Sequence, residues 1–215
     1  MRLLIVGAPG VGKGTQAKRI SAEKKIPHIA TGDILREAIR QGTPVGLKAK
    51  AYVESGGLVP DEVVIGIIEE RFAKGDTSKG WILDGFPRTA PQAEALGKML
   101  DRLKQPLQGV VLLECPDSAI LERVTGRRSC PKCGAPYHVK YQKPKKDGVC
   151  DADGAALVQR EDDTEAKVAK RLQKYHAETA AVVPFYEKNG LVRRVDATKA
   201  PEEVYRLVQS VLGKL

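Results

Sequence analysis

A glycine-rich segment near the start of the chain carries the strongest chemical signal in the sequence. Residues 7–15 read GAPGVGKGT and directly follow the apolar run 3–6. Glycine lets a backbone wrap closely around phosphate oxygens with its N–H groups turned inward, and the helix that opens near Lys13 adds the positive end of its dipole. Lys13 places a point charge on the outer phosphates. The segment therefore predicts a nucleotide phosphate site in a strand–loop–helix unit.

The phosphate segment departs from the common pattern at one position. A Ser or Thr that ligates magnesium usually comes directly after the lysine. Here Gly14 intervenes, and the hydroxyl comes one residue later, on Thr15. The sequence therefore argues against a generic GTPase or motor ATPase and favours a subfamily with its own magnesium arrangement.

Arginines recur beside the loops and the irregular segments of the chain. Phosphoryl transfer depends on positioning and on neutralising the repulsion between two phosphate chains. Arginine suits this task because it is permanently charged and binds phosphate with two parallel hydrogen bonds. Arg123 and Arg127 are one helical turn apart, so that they could face one phosphate tail. The set is Arg36, Arg88, Arg123, Arg127, Arg160 and Arg171.

Cysteines in the second half of the chain have the spacing of a ribbon-type zinc site, C-x2-C-x16-C-x2-D. Four filled positions would make such a site structural. The expected ligands are Cys130, Cys133, Cys150 and Asp153. His138 and Asp151 compete with Asp153 for the fourth position. A disulfide is disfavoured by the odd cysteine and by the expected cytoplasmic setting, and Cys115 is interpreted as an inert buried thiol.

The composition is that of a globular protein of 215 residues, with 42% hydrophobic and 29% charged residues. No apolar run is long enough to span a membrane, and the apolar start is too short for a signal peptide, so a cytoplasmic location is expected. The net charge of +9 indicates an anionic partner. The one dense basic stretch, residues 140–146, is interpreted as a solvated loop.

Short apolar runs alternate with helical patterns, which predicts an α/β fold with a parallel sheet covered on both faces. Strands are expected at residues 3–6, 26–29, 81–83, 110–113 and 191–195. Helices are expected near residues 13–24, 31–41, 61–73, 90–103, 117–125, 164–188 and 201–213. Ligands of such sheets bind at the carboxyl ends of the strands, where the predicted motifs lie. Two segments that interrupt the alternation are candidate lids.

Six motifs, in the same order, resemble those of the adenylate kinases of the long type with a zinc-bearing lid, and the resemblance runs nearly end to end. They are GAPGVGKGTQ at 7–16, TGDILR at 31–36, GLVP at 57–60, DGFPRT at 84–89, GRR at 126–128 and REDD at 160–163. The resemblance implies Mg²⁺-dependent transfer, ATP + AMP ⇌ 2 ADP. It also implies a P-loop three-layer α/β/α core with a five-stranded parallel sheet (1–29, 60–125 and 164–215), a helical AMP-binding insert (30–59) and a small β-rich zinc lid (126–163).

The resemblance also assigns roles to individual residues. The ATP side comprises Gly10, Val11, Gly12, Lys13, Gly14, Thr15, Arg123, Arg127, Pro136, Tyr137 and Lys199. The AMP side comprises Thr31, Arg36, Gly57, Leu58, Val59, Gly85, Phe86, Pro87, Arg88 and Gln92. Arg160 and Arg171 are expected to bridge the phosphates. Asp84 and Asp33 are expected to contact Mg²⁺ through water molecules. The group implied to act in catalysis is Lys13, Asp84, Arg88, Arg123, Arg160 and Arg171.

Some assignments have an independent physical argument. Gln92 offers a donor and an acceptor, which an adenine edge can use, and Asp84 ends a buried strand where a carboxylate without a cation would be costly. Asp162 and Asp163 are adjacent and are interpreted as ion-pair partners at the lid hinge, with a solvated turn as the alternative. His28 and His176 are interpreted as structural.

Three rival functions remain. A kinase for UMP/CMP or GMP would share the mechanism, but Thr31 and Gln92 favour AMP. A zinc-ribbon nucleic-acid-binding protein would use residues 140–146 as its contact, and would leave the arginine set unexplained. A nucleotide-dependent switch would need no second nucleotide pocket. The expected partners are therefore ATP, AMP and ADP, with no nucleic acid or membrane, and a monomer is expected because two lids must open.

Overall fold

The computed structural model describes residues 1–55 and 57–213. Residues 56, 214 and 215, which belong to the expected segments 30–59 and 164–215, lie outside the described residues. The strands are β1 (Arg2–Gly7), β2 (His28–Ala30), β3 (Trp81–Asp84), β4 (Gly109–Glu114), β5 (Arg127–Ser129), β6 (Pro136–His138) and β7 (Val192–Asp196). Among them, five form a parallel sheet in the order β2-β3-β1-β4-β7. The predicted α/β fold and five-stranded parallel sheet are confirmed.

Helices cover both faces of this sheet. They are α1 (Lys13–Lys24), α2 (Thr31–Arg40), α3 (Pro44–Glu54), α4 (Asp61–Phe72), α5 (Ala90–Arg102), α6 (Asp117–Thr125), α7 (Glu165–Lys174), α8 (Val182–Glu187) and α9 (Pro201–Leu212). Leu4 and Val6 pack with α4, α5 and α8, whereas Leu3 and Ile5 pack with α1, α6, α7 and α9. Successive side chains of a strand point to opposite faces, so a continuous apolar strand fills two cores.

The predicted helix at residues 164–188 is wrong as a single element. It divides into α7, a π-helical turn at Tyr175–Thr179 and the short α8. Pro184 supplies the physical reason, because proline lacks an N–H and its ring clashes with the carbonyl four residues earlier. Proline is tolerated in the first turn of a helix, which is where α8 places it.

Helices α2 and α3 form the segment that the sequence set apart between β2 and α4. Thr43 caps α3 by accepting a hydrogen bond from the N–H of Gly46, and Pro44 occupies the first turn. A Cβ at Gly46 would collide with the backbone of Ala38 in α2. The two helices therefore pack with their backbones in close contact.

The segment after α6 is small and β-rich, as predicted. β5 and β6 pair antiparallel, and isolated bridges join Ser129 to Val158 and Val149 to Ala156. A separate cluster of buried side chains contains Cys130, Tyr137 and Cys150. Among the described helices, none has both the length and the apolar character needed to cross a membrane.

Candidate active site and candidate metal centre

The glycine-rich loop joins the end of β1, the central strand, to the start of α1. Gly10 has φ +83° and Gly12 has φ +109°, a region that other residues rarely adopt. A Cβ at Gly10 would collide with Val124 of α6. The loop therefore has the tight backbone predicted for a phosphate cradle, at the carboxyl edge of the sheet, and Val11, Gly14 and Thr15 complete it.

Lys13 lies inside this loop. Its Nζ donates hydrogen bonds of 2.8 Å to the carbonyl oxygens of Gly7 and Ala8. Burial lowers the pKa of Lys13 to about 8; the charge of Asp84 opposes this shift, and that of Arg88 adds to it. An anion bound beside this buried ammonium would raise its pKa again.

Asp84 ends β3 beside the phosphate loop, as expected. A Cβ at Gly14 would lie 3.5 Å from its Oδ2 atom, and Nε2 of His28 lies 3.4 Å from the same oxygen. His176, which like His28 is interpreted as structural, also contacts a single carboxylate, that of Asp117, at 2.9 Å. The register of β2 against β3 brings His28 near Asp84, a pairing that sequence alone does not give.

Two adjacent carboxylates hold two of the predicted arginines at the base of the lid segment. Arg127 donates two hydrogen bonds to Asp163, of 2.7 and 2.5 Å, and Arg171 lies 2.9 Å from Asp162. Burial alone would raise the pKa of Asp162, but the charges of Arg171 and of the other arginines around it together outweigh burial and hold the pKa below its usual value. The predicted ion-pair role of these aspartates is confirmed.

Ion pairs also connect α2 to the lid segment. Arg36 donates to Asp33 at 2.5 Å. Asp33 lies 3.9 Å from Arg160, and Arg36 lies 3.9 Å from Asp162. Burial alone would raise the pKa of Asp33. The charge and hydrogen bond of Arg36, together with the charges of Arg160 and Lys18, outweigh burial, so that the pKa lies below its usual value. Asp33, expected near Mg²⁺, is therefore already engaged with two guanidinium groups.

Arg160 and Arg88 are cations held in buried positions beside other cations. Burial lowers the pKa of Arg160 to about 10, and the charges of Arg36 and Arg127 lower it further. Burial also lowers the pKa of Arg88, whose Nε donates to the carbonyl oxygen of Gly85 at 2.8 Å. These cations exceed the carboxylates that face them, which is the electrostatic environment of a polyanion site.

Arg123 differs from its expected arrangement. Its terminal nitrogens donate to the carbonyl oxygens of Ala197 and Thr198, at 2.7 and 2.9 Å. They hold the loop that carries Lys199, which is exposed. In this structure Arg123 shapes the loop expected to border the ATP base.

Two buried polar residues lie on the AMP side. The Oγ1 atom of Thr31 has no hydrogen-bond partner within the described residues, which leaves it available to a ligand. Gln92 differs from expectation, because its Oε1 accepts from the Arg88 N–H and its Nε2 donates to Asp61, both at 2.7 Å. An adenine edge could reach this amide only by displacing those partners.

The other residues assigned to AMP lie around the same end of the sheet. Phe86 and Val59 are buried in the core, and Pro87 is also buried. Only backbone atoms and half-buried side chains of these loops face outward. Gly57 and Leu58 are half-buried, and the N–H of Gly57 donates to the carbonyl oxygen of Tyr52 at 2.8 Å.

Three thiols and a carboxylate converge in the lid segment, and their ligand atoms all lie within 4.8 Å of one another. They belong to Cys130, Cys133, Cys150 and Asp153. The two turns repeat one geometry, in which Gly134 N–H donates to the Cys130 carbonyl and Gly154 N–H to the Cys150 carbonyl, both at 3.0 Å. The donor set suits Zn²⁺, which prefers four sulfur, nitrogen or carboxylate ligands.

The competing ligands lie elsewhere. His138 accepts the backbone N–H groups of Lys140 and Tyr141 at Nδ1, and Asp151 accepts that of Lys145. Asp153, the preferred prediction, is therefore the residue that joins the cysteines. The interpretation of Cys115 as a buried thiol is inaccurate, because it is only half-buried.

Tyr137 points its hydroxyl at this cluster, an arrangement that the sequence analysis missed. The hydroxyl accepts the N–H of Asp151 at 2.8 Å and lies 3.6 Å from Sγ of Cys150. Because the oxygen accepts from Asp151, its single proton is free to point at the sulfur. Tyr137, expected near the ATP base together with Pro136, thus contacts a candidate metal ligand in this structure.

Known proteins resemble the chain over its whole length. A family model described as Adenylate kinase matches residues 5–191. The adenylate kinase of Carboxydothermus hydrogenoformans is 52% identical over 214 residues, covering 100% of both chains. The adenylate kinase of Syntrophobacter fumaroxidans is 49% identical, over 99% of this chain and 100% of its own. The adenylate kinase of Moorella thermoacetica is 50% identical, over 100% of this chain and 99% of its own.

The chain belongs to the adenylate kinase family. The predicted family, the class of nucleoside monophosphate kinases and the reaction ATP + AMP ⇌ 2 ADP are confirmed at that level. The fold that the family resemblance implied is the fold observed.

Replacing Tyr137 with Phe is expected to weaken Zn²⁺ binding by about tenfold, because the thiolate of Cys150 loses a hydrogen bond that orients it. Competition between the protein and a chromophoric chelator measures the affinity. Tyr141→Phe is the matched control, since Tyr141 lies on the exposed surface of the same segment. Equal affinity of the Tyr137 variant and the wild type would contradict this role.

Proposed function

We propose that the chain transfers the γ-phosphoryl group of ATP directly, in line, to the phosphate of AMP. The observation that carries the proposal is the group of buried cations around the glycine-rich loop. Burial lowers the pKa of Lys13, Arg88, Arg160 and Arg171. Charges held in this state are pre-organised for the phosphates of two nucleotides, whose repulsion is the main barrier to bringing them together.

The ATP side is assigned to the loop of residues 10–15 and the neighbouring helices. The backbone N–H groups of the loop would bind the phosphates, and Lys13 would follow the transferred group. Arg127 would exchange Asp163 for a phosphate oxygen. Arg123 supports the loop around Lys199, which would border the base. Bound phosphates would restore the full charge of Lys13.

The AMP side is assigned to α2 and the loop after β3. The unpaired hydroxyl of Thr31 offers a buried donor and acceptor to the nucleotide. Arg36 and Arg88 would bind its phosphate, and Gly57 to Val59 would line the pocket with Gly85. Gln92 positions the backbone of Arg88. Its amide would reach the adenine base by breaking the hydrogen bond to Asp61.

Asp84 is the residue that suits Mg²⁺, through water, because its carboxylate lies next to the start of α1. The ion would supply charge neutralisation at the β- and γ-phosphates. Asp33 is less suited, since Arg36 and Arg160 already face it. His28 contacts Asp84 and fixes the orientation of its carboxylate.

Closure is proposed for the segments 30–59 and 126–163, which lie on either side of the phosphate loop. Exclusion of water would prevent hydrolysis of ATP before AMP is in place. The ion pairs of Asp33 with Arg160 and of Arg36 with Asp162 bring the two segments together. Zn²⁺ on the cysteine cluster would stabilise the lid and take no part in the chemistry.

The acceptor decides between this function and its closest rival, a kinase for UMP/CMP or GMP. We expect rapid ADP formation from Mg-ATP with AMP, and rates lower by at least about tenfold with UMP, CMP or GMP. A coupled spectrophotometric assay measures ADP for each acceptor. Activity confined to another monophosphate would overturn the assignment of Thr31, and no activity with any acceptor would overturn the proposal.

Binding of Mg-ATP is expected to take up close to one proton per site at pH 9 and almost none at pH 6.5. The reason is that Lys13 has a pKa of about 8 in the free protein, and the phosphates raise it on binding. Above pH 8 the free lysine is largely neutral, so binding restores its proton. Calorimetry in buffers of different ionisation enthalpy measures the uptake. Equal uptake at both pH values would contradict the depressed pKa.

A further inference from the structure

A lysine outside the predicted site joins the lid segment to the helix of the phosphate loop. Nζ of Lys18, on α1, donates a hydrogen bond of 2.8 Å to the carbonyl oxygen of Gly134. The two residues are 116 positions apart in the chain. Among the hydrogen bonds of residues 1–55 and 57–213, this is the one that connects the segment 126–163 to α1.

The acceptor is held in place by the turn that carries it. Gly134 closes the first cysteine turn, because its N–H donates a hydrogen bond to the Cys130 carbonyl oxygen. The N–H of Cys130 in turn donates to the Ala135 carbonyl oxygen, and both distances are 3.0 Å. The φ of Gly134 is +69°, which glycine adopts without strain. The carbonyl therefore projects from a rigid turn, and the flexible partner is the lysine.

The position of the contact between Lys18 and Gly134 makes it sensitive to movement of the lid segment. Some links between the lid segment and the core lie at its roots, where Nε2 of Gln159 donates to the Thr125 carbonyl oxygen at 3.1 Å and Arg171 lies 2.9 Å from Asp162. Gly134 lies instead in the first cysteine turn, and its contact reaches α1, the helix that follows the phosphate loop. Movement of the lid away from α1 would break this contact while leaving the root contacts intact.

Lys18 also lies near the AMP side. Its charge contributes to holding down the pKa of Asp33 on α2. The side chain is therefore located where the core helix, the lid turn and the first helix of the AMP-side segment approach one another.

We propose that Lys18 is a positioning residue that holds the lid closed over bound ATP, an inference that rests on the proposed function. The ammonium does not touch the reacting atoms; it acts through the carbonyl of Gly134. Stabilising the closed state raises the apparent affinity for the nucleotide beneath the lid. Chemistry after closure is unaffected, because the phosphates are bound by other residues.

The test compares Lys18→Met with Lys24→Met. Lys24 lies on the same helix and pairs only with its neighbour Glu23 among the described salt bridges, so its removal subtracts an equal charge. For Lys18→Met the KM for ATP is expected to rise about two- to tenfold, the range for a lost charge-assisted hydrogen bond at an exposed site. The KM for AMP and the melting temperature should stay unchanged, and kcat should not fall. Lys18→Arg keeps a cationic donor and is expected to restore most of the ATP affinity.

The outcomes separate the two proposals. A wild-type protein that forms no ADP from AMP would refute the proposed function. An active wild type, with the same KM for ATP in Lys18→Met and Lys24→Met, would refute the role of Lys18 alone. Loss of kcat together with a lower melting temperature would also refute it, because a merely structural side chain would have that effect.

Discussion

Burial of several cations together at the carboxyl edge of the sheet is the constraint on which the rest of the molecule depends. Lys13 and Arg160 have pKa values lowered to about 8 and about 10, with burial as the largest cause. A sheet buried on both faces can hold such groups, since its strands fix where each loop begins. The parallel strands β1 and β3 therefore place the phosphate loop beside Asp84 and Arg88. The free energy for gathering these charges comes from the two apolar cores.

The segments outside the core balance this charge without cancelling it. Asp162 and Asp163 hold Arg171 and Arg127, so two guanidinium groups stay oriented in the absence of phosphate. Carboxylate and phosphate compete for the same donors. In the proposed function, nucleotide binding would therefore be an exchange of anions at these arginines. A metal ion on the cysteine cluster, which Tyr137 contacts, would stiffen the lid segment so that it could move as a unit.

Sequence patterns predicted most of this arrangement. The apolar runs and the glycine spacing gave the strands, the phosphate loop and the parallel sheet, because each depends on local periodicity. The cysteine spacing predicted the four residues whose possible ligand atoms converge. Contacts between distant segments were missed: His28 with Asp84, Gln92 with Asp61, Tyr137 with Cys150, and Lys18 with Gly134. Each depends on how segments distant in the chain pack against one another, which no local pattern encodes. Pro184 marked the break in the predicted helix at 164–188, but the π-helical turn before it had no visible signal.

Arg160→Met tests the central claim most directly, with Arg40→Met on the exposed surface of α2 as control. The account predicts that turnover falls by at least about 100-fold while the melting temperature of the nucleotide-free protein stays the same or rises, because a repelled charge is removed. Calorimetry and the coupled ADP assay give both quantities. A melting temperature lowered well below that of the control, with turnover largely kept, would contradict the claim that these buried charges are held for phosphate.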